Sequence, residues 1–168
     1  ILSGNPEQAL SLCDNASDKL EATYTPISSS NPVLNAIVNV KLEKASSLGI
    51  DLTVSISETL TNVSSADTVS LIGNLCDNAI EYLADQPKNL RQIDLHIHSQ
   101  FNYNVITCKN KIAKSVLESN PNFNTTKADK SNHGIGIATV KRIAKDYDGD
   151  FLVSEENGWL TVTVLLCK

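Results

Sequence analysis

One stretch constrains the rest of the chain: residues 71–85, Leu-Ile-Gly-Asn-Leu-Cys-Asp-Asn-Ala-Ile-Glu-Tyr-Leu-Ala-Asp. Read with a helical period, Leu71, Ile72, Leu75, Cys76, Ala79, Ile80 and Leu83 line one broad apolar face. Asn74, Asn78 and Glu81 fall at i, i+4 and i+7 on the opposite face, bordered by Asp77. Such a helix packs on one side and displays two carboxamides and two carboxylates on the other. Ser64 is placed to cap it, with Asp67 three residues later closing a capping box. Most polar helix faces are only hydrated. Asparagine, however, is a poor helix former, and two of them one turn apart call for a further reason. Their carbonyl oxygens are the hard donors that Mg²⁺ prefers.

A second stretch supplies what such a cation accompanies. His133-Gly134-Ile135-Gly136-Ile137 follows a polar loop and leads into a helical pattern through Ile143 and Ala144. Glycines at a helix entry let backbone N–H groups come close to an anion, and the helix N-terminus adds partial positive charge. The pattern lacks the third glycine and preceding strand of a dinucleotide fingerprint, and the Lys-Ser/Thr of a P-loop.

Together, Asn-Leu-x-Asp-Asn-Ala-x-Glu and, some fifty residues on, His-Gly-Ile-Gly-Ile-x-x-Val-Lys-Arg-Ile resemble the ATP-binding catalytic domain of sensor histidine kinases. That fold is shared with DNA gyrase B, Hsp90 and MutL. The branch most resembled is that of Gram-positive peptide-sensing kinases, in which Asn-Pro-Val-Leu-Asn-Ala-Ile, here residues 31–37, precedes the nucleotide domain. The resemblance runs from about residue 31 to the end. It implies an ATP-binding catalytic domain over 31–168, with residues 1–30 as the end of a helical dimerisation hairpin and a linker.

What the resemblance implies for the site is specific. Asn78 ligates Mg²⁺, which bridges the ATP phosphates, and Asn74, one turn earlier, holds a metal-bound water or a phosphate. Glu81 and Tyr82 fall where relatives contact the nucleotide. Gly134, Ile135 and Gly136 form the glycine box whose backbone amides receive the phosphates. His133 either touches a phosphate or is only a loop residue. The sequence departs from the family after the strand ending near Cys108, where an Asp-x-Gly-x-Gly box normally receives the adenine amino group. Thr107-Cys108-Lys109-Asn110-Lys111 stands there instead. Asn110 can accept that hydrogen bond through its carbonyl oxygen, with weaker selection than a charged acceptor gives.

The reaction implied is donation of the ATP γ-phosphoryl group to a histidine on an upstream dimerisation helix. His96, His98 and His133 are not on such a helix, so the acceptor is expected upstream of this fragment, which should bind ATP without phosphorylating itself. The parent is expected to be a membrane-bound bacterial sensor, dimeric through its helices, with this domain in the cytoplasm and a response regulator as partner. The alternatives are a non-catalytic regulatory module of the same fold and an anti-sigma-factor serine kinase. A gyrase or Hsp90 ATPase would carry a glutamate base where Asn74 stands.

Bulk properties narrow the classes. The net charge is −5 with no basic run, which argues against nucleic-acid binding. No apolar stretch approaches a membrane span, so any membrane attachment is expected through upstream sequence. Cys13, Cys76, Cys108 and Cys167 are scattered without a Cys-x-x-Cys, which suits free thiols. The chain begins at Ile1 and has no Met, as expected of a piece of a longer protein.

In order, Asn5-Pro6 opens a helix to about residue 22, and residues 26–30 read as a linker. Asn31-Pro32 starts a helix that ends at Gly49. Leu52, Val54 and Ile56 alternate as a strand. After the helix of residues 71–85, Pro87 breaks the chain. Two strands follow, carrying Ile93, Leu95, Ile97 and then Tyr103, Val105, Thr107, with a turn at Phe101-Asn102. His96 and His98 share one outward strand face. Residues 111–132 form a long polar segment, a lid over phosphates. Its Lys127 and Lys130 are either triphosphate contacts or solvated loop charges. After the glycine-led helix, Asp148-Gly149 ends it, and two strands join at Glu156-Asn157-Gly158. The expected fold is α+β, a two-layer α/β sandwich of the Bergerat type. Its sheet is mixed and mostly antiparallel, with helices on one face.

Overall fold

A computed structural model describes residues 26–120 and 135–168. The helix expected over residues 5–22 lies outside them. The elements are α1 (Pro32–Ser47), β1 (Asp51–Ile56), α2 (Ser65–Ala84), β2 (Gln92–Gln100), β3 (Tyr103–Lys111), α3 (Ile135–Asp146), β4 (Asp150–Glu156) and β5 (Trp159–Cys167).

Helix ends follow local chemistry. The Asn31 side chain accepts from Val33 N–H at 3.0 Å and Leu34 N–H at 3.1 Å, and Pro32 takes the first helical position. At the other end Gly49 adopts φ +64°, and Ile50 N–H and Gly49 N–H return to Ala45 O and Ser46 O, both at 2.9 Å. That is a Schellman ending. The same pattern closes α3, with Asp148 in the left-handed position at φ +48° and Gly149 N–H on Ala144 O at 2.9 Å. Gly149 has a second reason to be glycine. A Cβ there would lie 1.8 Å from Leu165 O of β5.

The cap of α2 departs from the expected box in one bond. Ser64 Oγ accepts from Asp67 N–H at 3.1 Å and its hydroxyl donates to Asp67 Oδ2 at 2.7 Å. The Ser64 N–H, which the box would give to Asp67, donates instead to Tyr147 Oη at 2.9 Å. The tyrosine hydroxyl donates in turn to Asp67 at 3.0 Å. The start of α2 is thereby tied to the chain just beyond α3.

The sheet has the order β1-β2-β3-β5-β4. Only β1 and β2 run parallel; the other three pairings are antiparallel. One face carries Ile93, Leu95, Ile97, Ile106, Cys108, Val162, Val164 and Leu166. These are buried in one cluster with the apolar face of α2 and with Leu34, Val38, Leu42, Val140 and Ile143 of the flanking helices. Every residue of the apolar stripe read from residues 71–83 is in that cluster. His96 and His98 lie on the other face, half-buried, opposite Thr107 and Val105. Among the described residues no three His, Cys, Asp or Glu side chains gather to hold a metal, and no helix is long and apolar enough to cross a membrane.

The strand turns fall where expected. Asn157 (φ +51°) and Gly158 (φ +76°) join β4 to β5, both in the left-handed region that a tight hairpin requires. Phe101, at the β2–β3 turn, adopts φ +52° and is 93% exposed.

Candidate functional site

α2 positions the site because its apolar stripe fixes its rotation on the sheet. Asn74, Asn78, Glu81 and Tyr82 are then all half-buried on the flank between α2 and α3 or the segment after β3. Asn74 Nδ2 donates to Ser70 O, one turn back, at 2.6 Å. Its Oδ1 lies 2.9 Å from where a Cβ would stand on Gly136. The first turn of α3 therefore reaches the Asn74 carboxamide only because residue 136 has no side chain. Sequence reasoning placed Asn74 and Gly136 in separate motifs, and the fold brings them into contact.

Asn78 lies one turn further along. Its amide nitrogen is buried without a hydrogen-bond partner among the described residues. A buried orphan of this kind costs free energy unless the site gives something back. Tyr82 packs against the core, and its hydroxyl accepts from Ala113 N–H at 3.3 Å, pinning the chain as it leaves β3. Asn110, on β3, is buried, and its Nδ2 donates to Lys111 O at 3.0 Å. That commits the amide nitrogen and leaves the carbonyl oxygen as the acceptor of the pair. Ile135 and Gly136 form the first turn of α3. Lys127, Lys130, His133 and Gly134 lie outside the described residues.

Asp77 does not join the display of polar groups. Its two oxygens meet Lys41 Nζ and Lys44 Nζ of α1, each at 2.8 Å. Burial pushes its carboxyl up, but the two ammonium groups outweigh that and hold it below the ordinary aspartate range. The two-carboxylate face expected for α2 is thus one carboxylate, Glu81, with Asp77 turned aside as a clamp between helices.

The segment after β3 has an anchor that the sequence did not disclose. Glu155 of β4 accepts from Val116 N–H at 2.6 Å, Leu117 N–H at 2.9 Å and the Ser115 hydroxyl at 2.6 Å. Burial raises this carboxyl, and the three donors outweigh it and leave it low. Residues 112–115 and 155–158 line a cavity of about 250 Å³ beside this anchor. A glutamate in an alternating strand carries no signal that it will cap a loop forty residues away.

Chemically, the site offers two carboxamides one turn apart, a helix first turn with no Cβ at residue 136, and Tyr82 and the buried Asn110 on the adjoining elements. This set suits an oxygen-rich anion and a hard cation brought with it. With no acidic cluster among the described residues, these would leave most Mg²⁺ ligands to the anion and water.

Comparison with known proteins gives three results. The family model described as GHKL domain matches residues 63–167. Among solved structures, the catalytic domain of histidine kinase ThkA (TM1359) superposes with a TM-score of 0.62 at 16% identity, covering 81% of this chain and 90% of that one. Acinetobacter baumannii histidine kinase AdeS gives 0.58 at 13%, covering 80% of this chain and 62% of that one. Mycobacterial sensor histidine kinase MprB gives 0.56 at 14%, covering 80% and 93%. At these identities the likeness is one of fold. No curated protein matches the sequence significantly.

Proposed function

Because the chain belongs to the GHKL family of ATP-binding domains, we propose that it is the catalytic domain of a two-component sensor histidine kinase. On this reading it presents the γ-phosphoryl group of ATP to a histidine on an upstream helix. The observation that carries the reading is the meeting of Asn74 with the Gly136 turn of α3, with the orphaned Asn78 amide one turn away.

The residues divide the work by position. The α3 N-terminus and the backbone of Ile135 and Gly136 face the phosphates, where aligned N–H groups stabilise negative charge. Asn78 would hold Mg²⁺ through its side-chain carbonyl oxygen, and Asn74 would orient a water or phosphate oxygen. Mg²⁺, when bound, neutralises charge on the phosphates. Asn110 accepts from the adenine amino group, and Glu81 and Tyr82 border the nucleotide. Lys127, Lys130, His133 and Gly134 would complete the phosphate end. Phosphoryl transfer asks the protein mainly for such positioning and charge neutralisation. Asn74 is not a general base, so activation of water is poor and transfer to a protein side chain is favoured over hydrolysis. A parent sensor that dimerises through upstream helices, sits in a membrane and passes phosphate to a response regulator completes the proposal. Kinship with the Gram-positive peptide-sensing branch belongs to it too, through residues 31–37.

A second reading, a regulatory module that keeps the fold without productive ATP binding, is favoured by one observation: a neutral Asn110 where an aspartate is usual. Titration calorimetry with a non-hydrolysable ATP analogue, with and without Mg²⁺ and beside Asn78→Ala, separates the two. Mg²⁺-dependent binding that weakens at least tenfold in the variant is expected. No heat and no thermal shift at millimolar analogue would replace the kinase reading with the regulatory one.

A further inference from the structure

Residues 26–30 read in the sequence as a serine-rich connector. In the structure they lie along α1, and two asparagines of that helix read their backbone. Asn39 Oδ1 accepts from Ile27 N–H at 2.8 Å, and Asn39 Nδ2 donates to Ile27 O at 3.0 Å. One turn earlier on the helix, Asn35 Oδ1 accepts from Ser29 N–H at 2.8 Å, and Asn35 Nδ2 donates to Ser29 O at 2.8 Å. The Ser29 hydroxyl adds a bond to Asn35 Oδ1 at 2.7 Å.

Each carboxamide thus pairs with both the N–H and the C=O of one residue, as a neighbouring strand would. The periods agree. Two residues of extended chain advance about 6.6–6.8 Å, and four residues of helix rise about 6.0 Å. An Asn-x-x-x-Asn pair on a helix is therefore matched to alternate residues of a strand running along it. Specificity beyond the backbone comes from Ile27, whose side chain packs against the core cluster. Ser28 and Ser30 are exposed.

The rail that holds this strap is also the helix that steadies the site. α1 clamps α2 through Lys41 and Lys44 on Asp77, and Ile37 packs beside Gly73. We propose that residues 27–29 form a releasable latch on α1. Docked, the latch fixes the direction in which preceding sequence joins the nucleotide-binding domain. Released, it frees that junction while leaving the domain folded. The recognition is of peptide backbone through Asn35 and Asn39, so an N–H at residues 27 and 29 is required and the side chains at 28 and 30 are not. The inference stands apart from the nucleotide reading and holds or fails without it.

Amide hydrogen exchange on the whole 168-residue chain tests it. In the wild type, Ile27 and Ser29 amides should exchange at least tenfold more slowly than those of Ser28 and Ser30. In Asn35→Ala/Asn39→Ala, both should rise to the rate of their neighbours, with β3 amides unchanged. Exchange at all four positions at the free-chain rate in the wild type would overturn the latch. So would protection at 27 and 29 that survives in the double variant. Should the double variant fail to fold, Ser29→Pro removes the N–H, and the hydroxyl bonded to Asn35, without substituting any residue of α1. It should abolish protection at Ile27 while leaving α1 and the sheet intact, and persistent Ile27 protection would be equally fatal.

Discussion

At the scale of single residues, two glycines separate structural from functional need. Gly149 faces backbone: the carbonyl of Leu165 would lie 1.8 Å from an added Cβ and cannot step aside without breaking the β5 ladder. Gly136 faces a side chain, the Asn74 carboxamide at 2.9 Å, which can rotate. Gly136→Ala should therefore leave the fold intact. Alanine in a helix gains roughly 0.5–1 kcal/mol over glycine, which offsets part of the crowding. Its cost should fall on the site, because Asn74 must leave its place. We expect a melting temperature within about 3 °C of wild type and an ATP-analogue affinity about tenfold weaker by calorimetry, a change of about 1.4 kcal/mol. Unchanged affinity would remove the Asn74–Gly136 contact from the site.

At the scale of elements, α2 shows what could be read in advance. Its apolar stripe, its Ser64 cap and its break at Pro87 were legible because each rests on contacts within a few residues. The Gly49 ending of α1 and the Asn157-Gly158 hairpin were legible for the same reason. The destination of Asp77 was not, since its partners Lys41 and Lys44 stand on another helix, more than thirty residues earlier. Nor was the strap on α1, because a Ser-rich stretch signals a connector whether or not some helix lies beneath it. The Asp77 clamp has a pH signature. Its folded carboxyl titrates below the unfolded value of about 3.9. Its stabilisation is thus complete above that value and is lost as pH falls through it toward the folded value. Asp77→Asn should be less stable than wild type at pH 7 by about 1 kcal/mol, because solvent screens the partly exposed pairs. The gap should narrow between about pH 5 and pH 3, as urea midpoints across that range would record. A gap that stayed constant would show that the clamp contributes through packing alone.

At the scale of the whole molecule, the sheet class, the helical layer and the placement of the core followed from periodicity, because alternation in β2, β3 and β5 states which face is covered. The convergence of Asn74 on α3, and of Glu155 on the segment after β3, depends on topology and had no local signal. The same topology buries two thiols at its centre. Cys108 of β3 donates to Leu75 O of α2 at 3.8 Å, and the neighbouring Cys76 thiol together with burial raises its pKa well above the ordinary thiol value. Cys167, half-buried near the end of β5, is the accessible one of the three described cysteines. Under native conditions an aromatic disulfide reagent should modify Cys167 at least tenfold faster than Cys76 or Cys108, as peptide mapping would show. Equal rates would mean that the core opens far more readily than its packing implies.

The position of β5 bears on how the chain is made. It is the last described strand in sequence, yet it lies between β3 and β4 rather than at an edge. During synthesis from the N-terminus, β1, β2 and β3 can assemble with α1 and α2, but β3 keeps an open edge and β4 has no neighbour until β5 emerges. The nascent protein therefore holds an unsatisfied ladder until β5 has emerged, and the sheet closes in one step at that point rather than strand by strand.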